Sequence, residues 1–438
     1  MGHIDNFMKR PFFLPLISLL LLIAACAGPE RMSLDRIYGN NRKAERIPVI
    51  VIPGFMGSRL EDTRTGREIW PGPLLRLVSG LSNTPQRLIA DIDHSADRDF
   101  TRPSGLFLEA FGQDYYQSLV STLEQAGGYQ CAMSDRLDGQ TDCALLAWDW
   151  RRHPTEAAQA LAETIDRLRT LRNDPDLQVD VIAHSAGGIV ARAYLGGLHH
   201  PGGKQPDTVR RLVLLAVPNL GSIDGLQTAL RGARFGLTKV QPEVIARFPG
   251  VFSLLPHPQR DWMVDIDGQR FESDLYDIET WRRFKFSVFD PEVRARVMTA
   301  APDAASGRAA LAALERQVAR YLVEGKEFHR SIDGAGIPSS TQIASIGSGC
   351  YETPAVCLVE RVGEREFVRL TPDEIARPKP GVDYNRLMIA PGDGEVTRVS
   401  VLGPKGFDPG VVRFLCVPHA EIARDPTFRD NLLNILTE

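Results

Sequence analysis

The run "IPVIVIPGF", from Ile47, is unbroken and β-branched, and it stops at Pro53-Gly54. That pattern predicts a strand buried on both faces that enters a tight loop. "DYYQSLVSTLEQAGGY", Asp114 to Tyr129, sets Leu119 and Leu123 on one helical face, with Asp114 as N-cap and Gly127-Gly128 as the stop. "CALLAWDWR" reads as a strand, "TEAAQALAETIDRLRTLRN" as a helix and "LQVDVIAHS" as a strand. "GIVARAYL" then reads as a helix, and "VRRLVLLAVPNLGS" as a strand closing in a Pro/Asn/Gly loop. Strand and helix alternate, which predicts a mostly parallel central sheet covered by helices.

The alternation then breaks. From about Ser222 to Pro338 the pattern gives helices and loops without a buried strand; "GRAALAALERQVARYLVEG" puts Leu311, Leu314, Val318 and Leu322 on one helical face. "STQIASIGS", "REFVRL" and "VVRFLCVPH" follow as strands, and "PTFRDNLLNIL" as the last helix. A helical block between strands of one sheet predicts an inserted lid or cap. The expected organisation is a signal segment over 1–25, a tether over 26–46, a core over 47–221, the lid over 222–338 and the rest of the core over 339–438.

The N-terminus adds a location. Lys9 and Arg10 precede "PFFLPLISLLLLIAAC". The apolar run from Pro11 to Ala25 is too short to span a membrane comfortably and fits a secretory signal. Ile23-Ala24-Ala25-Cys26 resembles the lipobox of bacterial lipoproteins. That resemblance implies cleavage before Cys26 and a diacylglyceryl group on its thiol, so that the chain meets a membrane through an N-terminal lipid anchor. Ala27, where an aspartate would signal retention, implies the outer membrane of a bacterial cell envelope.

Charge and cysteine content narrow the partners. The 438 residues carry a net charge of −4, and no long basic run suggests nucleic acid. Of six cysteines, Cys131 and Cys143 flank one short polar loop and Cys350 and Cys357 another. In an oxidising compartment each pair is expected to close a local disulfide, and Cys416, inside an apolar run, is expected to be a buried free thiol. No Cys/His spacing resembles a zinc site, so neither a metal nor a cofactor is expected. His199 and His200 lie in a Gly/Pro-rich loop and read as solvated.

The candidate chemistry sits at Ala183-His184-Ser185-Ala186-Gly187, between a strand and a helix. Small-x-Ser-x-Gly in that setting is the form of the α/β-hydrolase nucleophile elbow, where small flanking residues tolerate the strained turn. A serine hydroxyl needs a histidine to take its proton and an acid to orient that histidine, and both are expected later in the chain. Of nine histidines, His419 alone follows the elbow, ends a strand-like run and leads into the final helix. His329 falls in the helical insertion and is expected to be exposed; His184 is expected to point away from the serine. Asp393, in the tight turn Gly392-Asp393-Gly394, is the candidate acid, with Asp383 as second choice. The oxyanion hole is expected from the backbone N–H groups of Ala186 and of Phe55, in the Pro53–Gly57 loop.

With these residues in place, the sequence resembles the lecithin:cholesterol acyltransferase family, which includes lysosomal phospholipase A2, phospholipid:diacylglycerol acyltransferases and many bacterial esterases. "IPVIVIPGFMGSRLED", "EIWPG", "AWDWRRHP", "IAHSAGGIVARAYL", "VLLAVPNLGS", "DLYDIETW", "GDGEV" and "PHAEI" stand in the family's order, from about Ile47 to the C-terminus. The resemblance implies an α/β-hydrolase fold with Ser185 as nucleophile, Asp393 as acid, His419 as base, and Phe55 and Ala186 as oxyanion donors. It implies that Trp70 lies near the acyl-binding, membrane-facing surface, with a structural tryptophan as the alternative, and that Asp149-Trp150-Arg151 is structural. Two departures are Ala183, where the family often has glycine, and Glu395-Val396-Thr397, where it often has Thr-Val-Pro; Glu395 places an extra charge near the acid. The implied activity is that of a lipid-anchored serine esterase or lipase, phospholipase A-like, working on acyl esters or phospholipids. The alternatives are an O-acyltransferase that passes the acyl group to an alcohol, and a catalytically silent envelope lipoprotein that binds lipid or a partner.

Overall fold

In the computed structural model the described residues are 46–72, 100–110, 113–235 and 238–437, with Leu34, Tyr38 and Leu88 besides. Cys26, the lipobox and nearly all of the expected tether lie outside them.

Seven strands make the central sheet: β1 (Val49–Ile52), β2 (Cys131–Met133), β3 (Cys143–Leu145), β4 (Val179–His184), β5 (Val209–Leu215), β6 (Gln342–Ser348) and β7 (Val411–Leu415). Their order is β7-β6-β5-β4-β1-β3-β2, and all six pairings are parallel. Side chains of successive strand residues point to opposite faces. Ile50, Ile52, Val181, Ala183, Leu212 and Leu214 therefore face one core, with Leu161 and Ile165 of α1 (Pro154–Arg172) and Ile189 and Val190 of α2 (Ala186–Leu195). Val49, Val51, Ile182, Val213 and Leu215 face the other, against Phe428 and Leu432 of the last helix, Pro426–Thr437. Burial on both faces is why these runs read as continuously apolar. Asp180 interrupts β4 and is itself buried; the Arg210 guanidinium pairs with it.

Two stretches are added to this sheet. Between β5 and β6 come α3 (Ile223–Arg231), several short helices and the long α4 (Ala304–Ala335). No strand of the central sheet falls in this block, but short accessory strands do: Ala233–Phe235 and Thr238–Val240 form a hairpin, and Met263–Asp265 pairs with Cys357–Val362. Each of these strands has three residues, too few for a periodic pattern to show. Between β6 and β7, Cys357–Val362 and Arg365–Arg369 complete that accessory sheet, while Tyr351–Pro354 pairs with Ile389–Gly392 in a separate ribbon. The run "REFVRL" thus belongs to an accessory sheet and not to the central one.

The apolar stripe of α4 runs on past Leu322 through Gly325, Phe328, His329 and Ile332. His329 is accordingly buried, contrary to the exposed position expected of it, with its ring 5.1 Å from that of His257. The helix repeat carries it onto the packed face, four residues after Gly325 and three before Ile332.

The disulfides also differ from expectation. Cys131 and Cys143 are bonded, and they are directly opposed on β2 and β3. Cys350 bonds Cys416 and not Cys357. The reason is register: β6 and β7 pair Ser348 with Leu415, so Cys350 and Cys416 leave the same end of adjacent strands. Cys416 is exposed, whereas Cys357 starts the strand beside Met263 and is the buried free thiol.

Candidate active site

β4 ends at His184, and α2 begins at Ala186. Ser185 between them has φ 52° and ψ −127°, a left-handed conformation that costs a non-glycine residue about 1–3 kcal/mol. The elbow persists because its neighbours fit nothing larger. A Cβ on Gly187 would lie 2.6 Å from the Pro53 carbonyl oxygen, and one on Gly54 would lie 2.9 Å from Ser185 Cβ.

Ser185 Oγ lies 2.9 Å from His419 Nε2, and His419 Nδ1 donates to Asp393 Oδ2 at 2.8 Å. His419 stands three residues beyond Cys416 and is buried. Its backbone N–H donates to the Asp393 carbonyl at 3.0 Å, so main chain and side chain tie the two residues together. The other carboxylate oxygen of Asp393 accepts from the amides of Glu395 and Val396, at 2.9 and 2.6 Å. Gly394 N–H donates to Thr353 Oγ1, which pins the turn to the ribbon. Burial alone would raise the Asp393 pKa; His419 and the two amides outweigh it and hold the carboxyl below its ordinary range. Asp383, the second choice, is exposed and caps Tyr384–Met388 through the Arg386 amide.

Phe55 lies in the loop after β1, and Ala186 opens α2. Neither amide is spent on an acceptor among the described residues. The loop is held by Tyr116. Its hydroxyl accepts the Gly54 N–H at 2.9 Å and hydrogen-bonds His184 Nδ1 at 2.8 Å. His184 does not point into solvent. It is buried beside the elbow with its ring 5.1 Å from that of His419, and burial pushes its pKa down to about 3, so it stays neutral.

Trp70 departs from the membrane-facing place implied for it. It is fully buried, its indole N–H donates to the Met56 carbonyl at 3.1 Å, and its ring stands edge-on to Trp150. It props the loop from within the core. Trp148 and Trp150 do similar work, donating to the carbonyls of Pro53 and Ser58. Arg151, also fully buried, grips Asp149 through two nitrogens and donates to the Leu88 carbonyl.

Reading the sequence missed Tyr116 and Asp224. Tyr116, in "DYYQS", carries no motif; it and not the expected Asp114 is the N-cap of Gln117–Ser121, while the Asp114 carboxylate accepts from the Ser118 amide. Asp224 lies in the first turn of α3, two residues after the "NLGS" loop, and burial and then Glu395 push its pKa up to about 7.

A parallel sheet, a serine on a strained strand-to-helix turn, and an acid and a base on later loops define an α/β-hydrolase fold. A family model described as a domain of unknown function (DUF7379) matches residues 120–223, which include the elbow. An uncharacterized protein of Saccharomyces cerevisiae, YJR098C, is 23% identical over 255 residues, covering 56% of this chain. The chain spans about a third of that relative's length, 34%. Among solved structures, one in the Tle4–Tli4 complex aligns with a TM-score of 0.55 and 15% identity over 90% of this chain and 99% of its own. The Bacillus licheniformis lipase BlEst2 in mature form aligns over 89% of this chain and 92% of its own, with 11% identity and a TM-score of 0.36.

Proposed function

We propose that the chain is a serine hydrolase of lipid acyl esters, of phospholipase A or lipase type. The observation that carries this reading is the unbroken line from Asp393 through His419 to Ser185 Oγ, at 2.8 and 2.9 Å. In the first half-reaction His419 Nε2 takes the hydroxyl proton as Ser185 Oγ attacks the ester carbonyl. Asp393 holds the ring by Nδ1 and offsets the imidazolium charge. The Phe55 and Ala186 amides face the carbonyl oxygen as it gains charge. The tetrahedral intermediate collapses, the alcohol leaves with the proton from Nε2, and an acyl-Ser185 ester remains. Water then repeats the sequence and frees the fatty acid.

The resemblance to the lecithin:cholesterol acyltransferase family supports lipid esters as the substrate class, and the lipobox-like Ile23–Cys26 supports anchoring at an outer membrane. Ser185→Ala deletes one oxygen at the surface of the elbow, so stability should hold while turnover falls by about 10³ to 10⁶-fold. Labelling by a fluorophosphonate and fatty-acid release from a phospholipid and ester panel would read it. Normal release by a folded variant would sink the assignment.

A further inference from the structure

His419 Nε2 has a second neighbour besides the serine. Glu395 follows Asp393 by two residues, and its Oε2 lies 3.5 Å from Nε2. The distance is long for a good hydrogen bond and short for a charge pair. The Glu395 main chain is fixed by its amide bond to Asp393 Oδ1. Its side chain is 46% exposed, and no Lys or Arg pairs with it among the described residues.

The ionisable groups facing His419 are unbalanced. The acid turn brings Asp393 and Glu395, α3 brings Asp224, and the elbow brings His184, which is neutral. On the histidine's own segment Glu421 and Arg424 pair with each other. β6 and the helix Gln117–Ser121 carry no ionisable side chain. From the last helix, Arg429 donates to Thr122, and Asp430 accepts from Tyr38. Three carboxylates thus surround the ring with no Lys or Arg among them.

We propose that Glu395 is a positioning residue that competes with Ser185 for the Nε2 proton of His419, and so decides when the histidine is free to act as base. The inference rests on the hydrolase reading above. Burial disfavours charge on the ring, but Glu395, Asp393 and Asp224 outweigh it and push the His419 pKa up to about 10. A histidine already protonated at Nε2 cannot take the serine proton. Activity must therefore rise with pH, as His419 loses that proton. The same contact helps later in the cycle, because the imidazolium formed on serine attack lies beside a carboxylate that stabilises it. Glu395 makes His419 a stronger base over a narrower, more alkaline range.

The test is the pH profile of kcat/KM on a neutral short-chain ester, for the wild type, Glu395→Gln and Glu395→Thr. Both variants should move the acid limb down by about one unit or more, the low end for a nearby charge that is half solvated. Their plateau rate should fall, since a weaker base transfers the proton less readily. A merely structural role would lower the rate without moving the limb, and a limb that stays in place overturns the inference. Following the His419 ring by NMR in the wild type and Glu395→Gln measures the same competition without turnover, and an unchanged titration also overturns it. Should the wild type cleave no ester and take no fluorophosphonate, the hydrolase reading fails, while the NMR comparison still decides the contact.

Discussion

Tyr116→Phe removes one oxygen from the buried space between the oxyanion loop and the elbow. That oxygen accepts the Gly54 N–H and shares a hydrogen bond with His184 Nδ1. Both partners would be left in the core without a bond. Each buried unsatisfied group costs about 1–3 kcal/mol, so the variant should lose roughly 2–6 kcal/mol of stability. Ring packing is kept, so no cavity adds to this. Gly54 precedes Phe55, whose amide is the proposed oxyanion donor. Deleting an oxyanion donor outright costs about 10²–10³-fold in kcat; loosening the loop that carries one should cost less, about 10-fold, with KM little changed. Guanidinium denaturation gives the first quantity as a shift in midpoint at constant slope, and ester turnover gives the second. Leu119→Ala is the control: Leu119 is buried in the same helix, so truncation should cost about 2–5 kcal/mol through a cavity alone and leave kcat unchanged. If Tyr116→Phe matched Leu119→Ala in both measurements, the link from Tyr116 to the oxyanion loop would be refuted.

Two further outcomes are expected. Cys26→Ser should abolish lipid attachment and cleavage before residue 26; palmitate-analogue label retained on the variant would show that the acyl group sits elsewhere. Cys350→Ser opens a loop with a sequence separation of 66 and should cost about 4 kcal/mol on the chain-entropy account. It should also lower kcat, because Cys416 stands three residues before His419; stability and turnover of the wild-type level would refute a tie between the two.

The parts of the fold and site that were legible in the sequence are those encoded locally. β1 and most of β4 and β5 are apolar because both faces are covered, and the elbow is legible because Ala183, Ser185 and Gly187 answer to the backbone of one turn. Asp393 was legible as a glycine-flanked turn of the right place in the chain. What depends on register between distant strands was not. The partner of Cys350 is set by β6 lying beside β7, and proximity along the chain pointed instead to Cys357. Tyr116 acts through one hydroxyl on the far side of the sheet end, which no periodicity marks. His329 could have been found by extending the α4 stripe from Leu322 through Gly325 to Ile332. Trp70 was left between two roles because a tryptophan reads the same whether it faces lipid or props a carbonyl, and its burial favours the second.

The three members of the candidate triad are held by different means. Ser185 is fixed by backbone strain that Gly54 and Gly187 permit. Asp393 is fixed by two amides of its own turn and, through Gly394, by Thr353 on the neighbouring strand of the ribbon. His419 is held from two sides: it bonds Asp393 through main chain and ring, and it follows β7 of the central sheet by four residues, where Val417 N–H donates to Ser348 Oγ on β6. Ser185 and His419 therefore both leave strands of the central sheet, β4 and β7, whereas the acid turn leaves the ribbon Tyr351–Pro354/Ile389–Gly392. The Cys350–Cys416 bond ties the start of the ribbon to the segment that carries the histidine. A small shift of the ribbon would move Asp393 and Glu395 together against His419, altering the contacts at Nδ1 and Nε2 while Ser185 and His419 stay on the sheet. Competition for the Nε2 proton is therefore built into the acid turn, and its outcome depends on how closely the turn is held against His419.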